Sequence, residues 1–106
     1  MAALKLFCST PMKDKEFQDI EKDFYKAVMF AREKFPENDI IPINSFLPAD
    51  VGNRRIKVPA LDSLGRSLCL LATADIIYFN DGWKEARGCR IEHTCAEEYG
   101  IKIIHD

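Results

Sequence analysis

The spacing of apolar and polar positions divides the chain into alternating strands and helices. Leu4-Lys5-Leu6-Phe7-Cys8-Ser9 reads as a short strand closed by Thr10-Pro11. Phe17, Ile20, Phe24, Ala27, Val28, Ala31 and Phe35 then recur at three-and-four spacing, which gathers them on one helix face. Pro36 ends that helix, because proline disfavours helical geometry in the residue before it. Ile40 to Asn44 forms a second strand, and Pro42, which has no N–H to give, places it at a sheet edge. Residues 45–57 show no period, only turn formers and charges, and read as a loop. Leu61, Leu64, Leu68 and Leu71 restore helical spacing after an entry at Val58-Pro59. Ala74 to Phe79 is apolar almost throughout, as expected of a central strand covered on both faces. A loop, Asn80-Asp81-Gly82-Trp83, leads to a helix ending at Tyr99. Gly100 suits the left-handed position beyond a helix end, and Ile101 to Ile104 is the last strand.

Strands alternating with helices call for a parallel sheet covered on both faces. The expected architecture is a three-layer, doubly wound α/β domain of the Rossmann or flavodoxin kind. With right-handed crossovers and the second strand at an edge, the strand order becomes 2-1-3-4. The first and third strands are then inner neighbours where the winding reverses, and ligands of such sheets sit beyond the strands' carboxyl ends at that reversal. Chemistry is therefore expected from residues 9–12 and 80–92, with the 45–57 loop as a further candidate.

Composition narrows the function classes. With 106 residues, 47% hydrophobic and 30% charged, the whole chain 1–106 makes one globular domain. A net charge of −2 argues against a nucleic-acid partner, which needs clustered positive charge. No apolar run approaches the roughly 20 residues of a membrane span, so no membrane partner is expected. Cys8, Cys69, Cys89 and Cys95, with no secretory signal ahead of them, point to reduced thiols and a cytoplasmic protein.

The stretch from Asn80 to His93 is dense in polar groups where the ligand is expected. Its pattern of Gly82-Trp83, then Gly88, then Glu92 resembles the active-site signature of the nucleoside 2-deoxyribosyltransferase-like superfamily, closest to a branch of short bacterial and phage members. The likeness extends to the strand leading into Thr10-Pro11, to Asn44 near the end of the second strand, and to the leucine-rich helix running into Asp75. The resemblance implies an enzyme that cleaves or exchanges the N-glycosidic bond of a (deoxy)nucleoside or nucleoside 5′-monophosphate. It implies Glu92 as the carboxylate nucleophile that attacks C1′, a role known to suit carboxylates at oxocarbenium-like carbon. A place near the helix N-terminus would keep Glu92 ionised. Asp81 is the candidate partner on the base side, though it equally suits a turn beside Gly82.

Ser9, Thr10, Pro11 and Gly88 are candidates to line the sugar site, with Gly82 in the adjoining turn. Trp83 is a candidate for stacking on a base, or for capping the core. Arg87 and Arg90, with Arg54, Arg55 and Lys57, are candidates for a phosphate, which arginine pairs bidentately. No cofactor and no metal are expected: Cys89 and His93 share an i, i+4 spacing, but no closed four-ligand pattern accompanies them. The resemblance also implies a homo-oligomer, for which Phe46-Leu47-Pro48 is a candidate contact. The chain departs from the superfamily pattern at Phe7, Thr10, Ser67 and Ala86, where the pattern has a tyrosine, a glycine, a carboxylate and a serine or aspartate. These departures motivate an alternative: a non-catalytic nucleotide-binding or regulatory module that kept the cleft.

Overall fold

A computed structural model describes residues 2–12, 15–44 and 56–105. The elements follow in the order β1 (Ala3–Ser9), α1 (Phe17–Lys34), β2 (Asp39–Pro42), α2 (Pro59–Leu71), β3 (Ile76–Phe79), a short 3-10 turn (Trp83–Glu85), α3 (Arg87–Tyr99) and β4 (Lys102–Ile104). The sheet is parallel throughout, in the order β2-β1-β3-β4. Among the described residues, no helix is long and apolar enough to cross a membrane.

Local chemistry sets the boundaries. The carboxylate of Asp19 accepts the backbone N–H of Glu16 and closes the start of α1. At its other end Phe35 has left helical geometry (φ −125°, ψ 67°), as the following Pro36 requires. Gly100 adopts the left-handed conformation (φ 72°), and Ile101 N–H reaches back to the Ala96 carbonyl at 2.9 Å, which closes α3. β3 starts at Ile76, two residues later than its apolar run. Asp75 faces β1 at its entry, where its N–H donates to the Lys5 carbonyl (2.9 Å) and its carboxylate accepts the Lys5 N–H (2.8 Å).

Pairing of Leu6 with Ile76, Phe7 with Ile77, Cys8 with Tyr78 and Ser9 with Phe79 sorts the inner strands into two faces. Leu6, Cys8, Ile76 and Tyr78 pack under Ala27, Val28 and Ala31 of α1. Phe7, Ile77 and Phe79 pack under Leu71 of α2 and Cys89 and Ala96 of α3. This gives the three layers, with β1 and β3 in the middle.

The apolar stripes are buried unevenly. Phe17, in the first turn of α1, is 73% exposed. On α2 only Leu71 is buried, and Leu61 is 63% exposed. Phe46-Leu47-Pro48, Arg54 and Arg55 lie outside the described residues, and Lys57 is exposed.

Candidate active site

β1 and β3 deliver their last residues side by side at the carboxyl end of the sheet. Asn80 N–H extends the ladder by donating to the Ser9 carbonyl at 3.0 Å. The Asn80 side-chain amide donates to the Thr10 hydroxyl at 2.8 Å, so Asn80, 1% exposed, pins the turn that leaves β1. Gly82, left-handed at φ 87°, redirects the chain after β3, and the Trp83–Glu85 turn carries it to α3.

A cavity of about 360 Å³ opens between this end of the sheet, α2 and the first turns of α3. Ser9, Thr10, Pro11, Gly88 and Glu92 all line it, together with Phe7, Ala86 and Cys89. From α2 come Ala60, Ser63, Leu64, Arg66, Ser67 and Leu70. Small residues at 60, 63 and 67 explain the space, since they leave a gap where larger apolar side chains would fill the contact with the sheet. A Cβ added at Gly88 would lie 3.9 Å from Leu64 Cδ1, an ordinary contact, so Gly88 widens the cavity without being forced by a clash. A second hollow lies between α1 and β2, but the polar residues on its walls, Glu21 and Asn44, are exposed. The buried carboxylate selects the first cavity.

That carboxylate is Glu92, 7% exposed, which accepts a hydrogen bond of 2.6 Å from the Ser9 hydroxyl. Burial pushes its pKa above the ordinary carboxylate value, and the Ser9 hydrogen bond pulls the other way. Glu92 lies in the second turn of α3, beyond the reach of the helix dipole, which fades within the first turn. The expectation that the helix end sets its charge therefore gives way to burial opposed by one hydroxyl.

Cys89 sits one turn earlier and is also pushed up by burial. Ser9 and Lys15 oppose that rise, while the nearby Glu92 charge adds to it. Burial carries Cys8 up to about 12. Both thiols stay protonated near neutrality and are poor nucleophiles, which leaves the carboxylate as the chemical centre of the cavity.

The remaining sequence candidates lie elsewhere. The Asp81 side chain is 92% exposed and meets Lys26 of α1 at 3.5 Å. Trp83 stacks on His93 with centroids 4.3 Å apart and packs on Phe79, so it closes the core beside the site. His93 also meets Glu97 at 3.2 Å and does not line the cavity. Arg87 is exposed, and Arg90 donates to the Lys84 carbonyl at 2.9 Å. Two contributions escaped the sequence reading. Asn80 carried no signal beyond being a polar residue after a strand. Ser67 stood out only as a departure from the superfamily pattern, and Arg66 and Ser63 only by their places among the leucines of α2.

Residues 18–105 match the model of DUF4406, a domain of unknown function. The chain belongs to the DUF4406 family. The match starts inside α1 and runs through β4, so it contains Glu92 and the whole α2 wall of the cavity, while Ser9 precedes it. No curated protein and no solved structure matches the chain.

Proposed function

We propose that this DUF4406 protein cleaves or exchanges the N-glycosidic bond of a (deoxy)nucleoside or nucleoside 5′-monophosphate, with Glu92 as nucleophile. The observation that carries this reading is a buried carboxylate, held through one oxygen by Ser9, on the wall of a cavity at the β1/β3 reversal. The likeness of Gly82-Trp83, Gly88 and Glu92 to the deoxyribosyltransferase-like signature supports the same assignment, as does a cavity within the range of small-ligand sites.

Ser9 engages Oε1, which leaves Oε2 to attack C1′ of the sugar. The C1′–N bond breaks with its electron pair on the base nitrogen, and the base leaves with a proton taken from water. A second base, or water, then attacks C1′ of the glycosyl ester and gives its proton back to the solvent, and Glu92 departs as a carboxylate. Binding of a carboxylate by one hydroxyl also orients it, so the reacting oxygen is aimed before the substrate arrives. The active form is a cytoplasmic homo-oligomer on this reading, and a strict monomer in light scattering would count against that part.

The test is incubation with a panel of deoxynucleosides and their 5′-monophosphates, with free base followed by chromatography. Intact-mass measurement after rapid quenching should show protein carrying one sugar. Base release that survives Glu92→Ala would remove the carboxylate from its role.

One observation favours the second reading, a binding module without catalysis. Among the described residues, Glu92 is the only acid on the cavity wall, so no second carboxyl group stands ready to protonate a leaving base. Ligand-induced rise in Tm with no base released from any substrate would select this reading.

A further inference from the structure

The cavity has two polar poles. Ser9 and Glu92 form one at the end of the sheet. Ser63, Arg66 and Ser67 form the other on α2, where spacings of three and four make Ser63 the neighbour of both Arg66 and Ser67 on the helix surface that lines the cavity. Arg66 is anchored from the preceding turn by Asp62, whose carboxylate lies 3.1 Å from an Arg66 terminal nitrogen. This pairing ties the guanidinium to its own helix beside the cavity.

We infer that the α2 pole is a phosphate subsite and that the ligand of this cavity is a sugar 5′-phosphate, in the form of a nucleoside 5′-monophosphate. The inference rests on the proposed reading of the cavity as a nucleotide site and deepens it, by separating the phosphorylated ligand from the free nucleoside. A guanidinium offers five N–H donors in a planar fork, enough to serve a carboxylate and phosphate oxygens together. Hydroxyl groups at Ser63, one turn from Arg66, and at Ser67, one turn from Ser63, add neutral donors along the same wall. Charge separation across the cavity suits such a ligand: the anionic end meets Arg66, while the electrophilic sugar carbon lies toward Glu92. Of the arginines that sequence offered for this task, Arg87 and Arg90 do not line the cavity, and Arg54 and Arg55 lie outside the described residues.

The measurement is calorimetric titration of the full chain with four 2′-deoxynucleosides, their 5′-monophosphates, ribose 5-phosphate and inorganic phosphate. Monophosphates should bind about tenfold or more tightly than the matching nucleosides, the scale of hydrogen bonds to a charged group. That gap should shrink as salt is raised. Arg66→Met should close most of the gap, lowering monophosphate affinity far more than nucleoside affinity. Arg66→Lys, which keeps the charge and the Asp62 partner, should retain part of it and guards against a variant that fails to fold. Ribose 5-phosphate should compete better than inorganic phosphate.

Equal affinity for nucleoside and monophosphate overturns the inference, as does a gap that persists in Arg66→Met. Inorganic phosphate binding as tightly as the nucleotides overturns it too, and so does absence of binding by every ligand. Base release followed in the same samples separates the two claims. A phosphate-dependent gap without base release keeps the subsite and removes the glycosidic chemistry. Equal release from nucleosides and monophosphates, untouched by Arg66→Met, does the reverse.

Discussion

The two faces of the sheet are built from the same strands yet have opposite characters. Residues of β1 alternate between them: Leu6 and Cys8 go to the α1 face, Phe7 and Ser9 to the face under α2 and α3. On the α1 face Leu6, Cys8, Ile76 and Tyr78 form a hydrophobic layer, and α1 itself contributes Ala27, Val28 and Ala31. On the other face the apolar layer of Phe7, Ile77 and Phe79 stops where Ser9 begins. Small and polar residues of α2 then leave a cavity, into which α3 brings Glu92. One face stabilises the fold, and the other gives up packing at its carboxyl end to hold a buried carboxyl group. On the proposed reading, stability and function are separated by strand parity, and that separation can be tested.

The largest effect is expected from Glu92→Gln. Turnover should fall by about a thousandfold or more, since an amide is no nucleophile at C1′. Stability should move the other way. The buried Glu92 has a pKa raised by desolvation above its unfolded value of 4.5. Between those two pKa values the folded protein holds a proton that the unfolded chain has lost, so stability falls as pH rises through the folded pKa. The amide introduced by Glu92→Gln does not titrate, so the variant should melt higher than wild type near neutrality. Its advantage should shrink as pH is lowered through the folded pKa. A lower Tm for Glu92→Gln at every pH would mean that the carboxylate is a structural asset and that the two faces do not divide as described.

The α1 face should respond in the opposite sense. Leu6→Ala removes a side chain with no solvent exposure and should cost about 2–5 kcal/mol in urea unfolding. That is a large part of the roughly 5–15 kcal/mol typical of a domain. Leu64→Ala, which faces the cavity, should cost less than about 2 kcal/mol because the space beside it is already open. Equal losses at the two positions would show α2 to be packed as firmly as α1. Ser9→Ala comes next, at about 1–3 kcal/mol, the cost of leaving a buried acceptor without its donor. Its more specific signature is kinetic. Without the hydroxyl the Glu92 pKa rises further, so the acid limb of the pH–rate profile should shift to higher pH, and Ser9→Thr should restore it.

Much of the fold was legible because it depends on local, repeating signals. Pro36 and Gly100 stop helices by backbone geometry, Pro42 marks an edge by its missing donor, and the run at Ile76 to Phe79 is buried on both faces. The site was legible only in part. Strand order brings residues 9–12 and 80–92 to one end of the sheet, and within that range the resemblance, not the topology, singled out Gly88 and Glu92. The α2 wall did not follow. A leucine stripe looks the same whether the helix is pressed on the sheet or held off it, and the difference lies in the small residues between the leucines. The short turn at Trp83–Glu85 was equally silent, and it is what pushes the start of α3 to Arg87 and Glu92 into the second turn.

Asp81 gives the smallest expected effect and a sharp discrimination. Sequence places it two residues past β3, at the expected ligand side and next to the Gly82-Trp83 pair, where a base-side acid would stand. The left-handed Gly82 turns the chain at this point, and the Asp81 carboxylate ends up exposed beside Lys26. An exposed pair of this kind contributes little to stability, so Asp81→Asn should change unfolding free energy by less than about 0.5 kcal/mol. Turnover should stay within about twofold of wild type, because a leaving base protonated by water does not need this side chain. A tenfold loss of turnover at unchanged Tm would bring Asp81 back to the substrate. It would also mean that ligand binding redraws the turn after β3, and the polar end of the α2/α3 face would then be assembled by the substrate instead of standing ready for it.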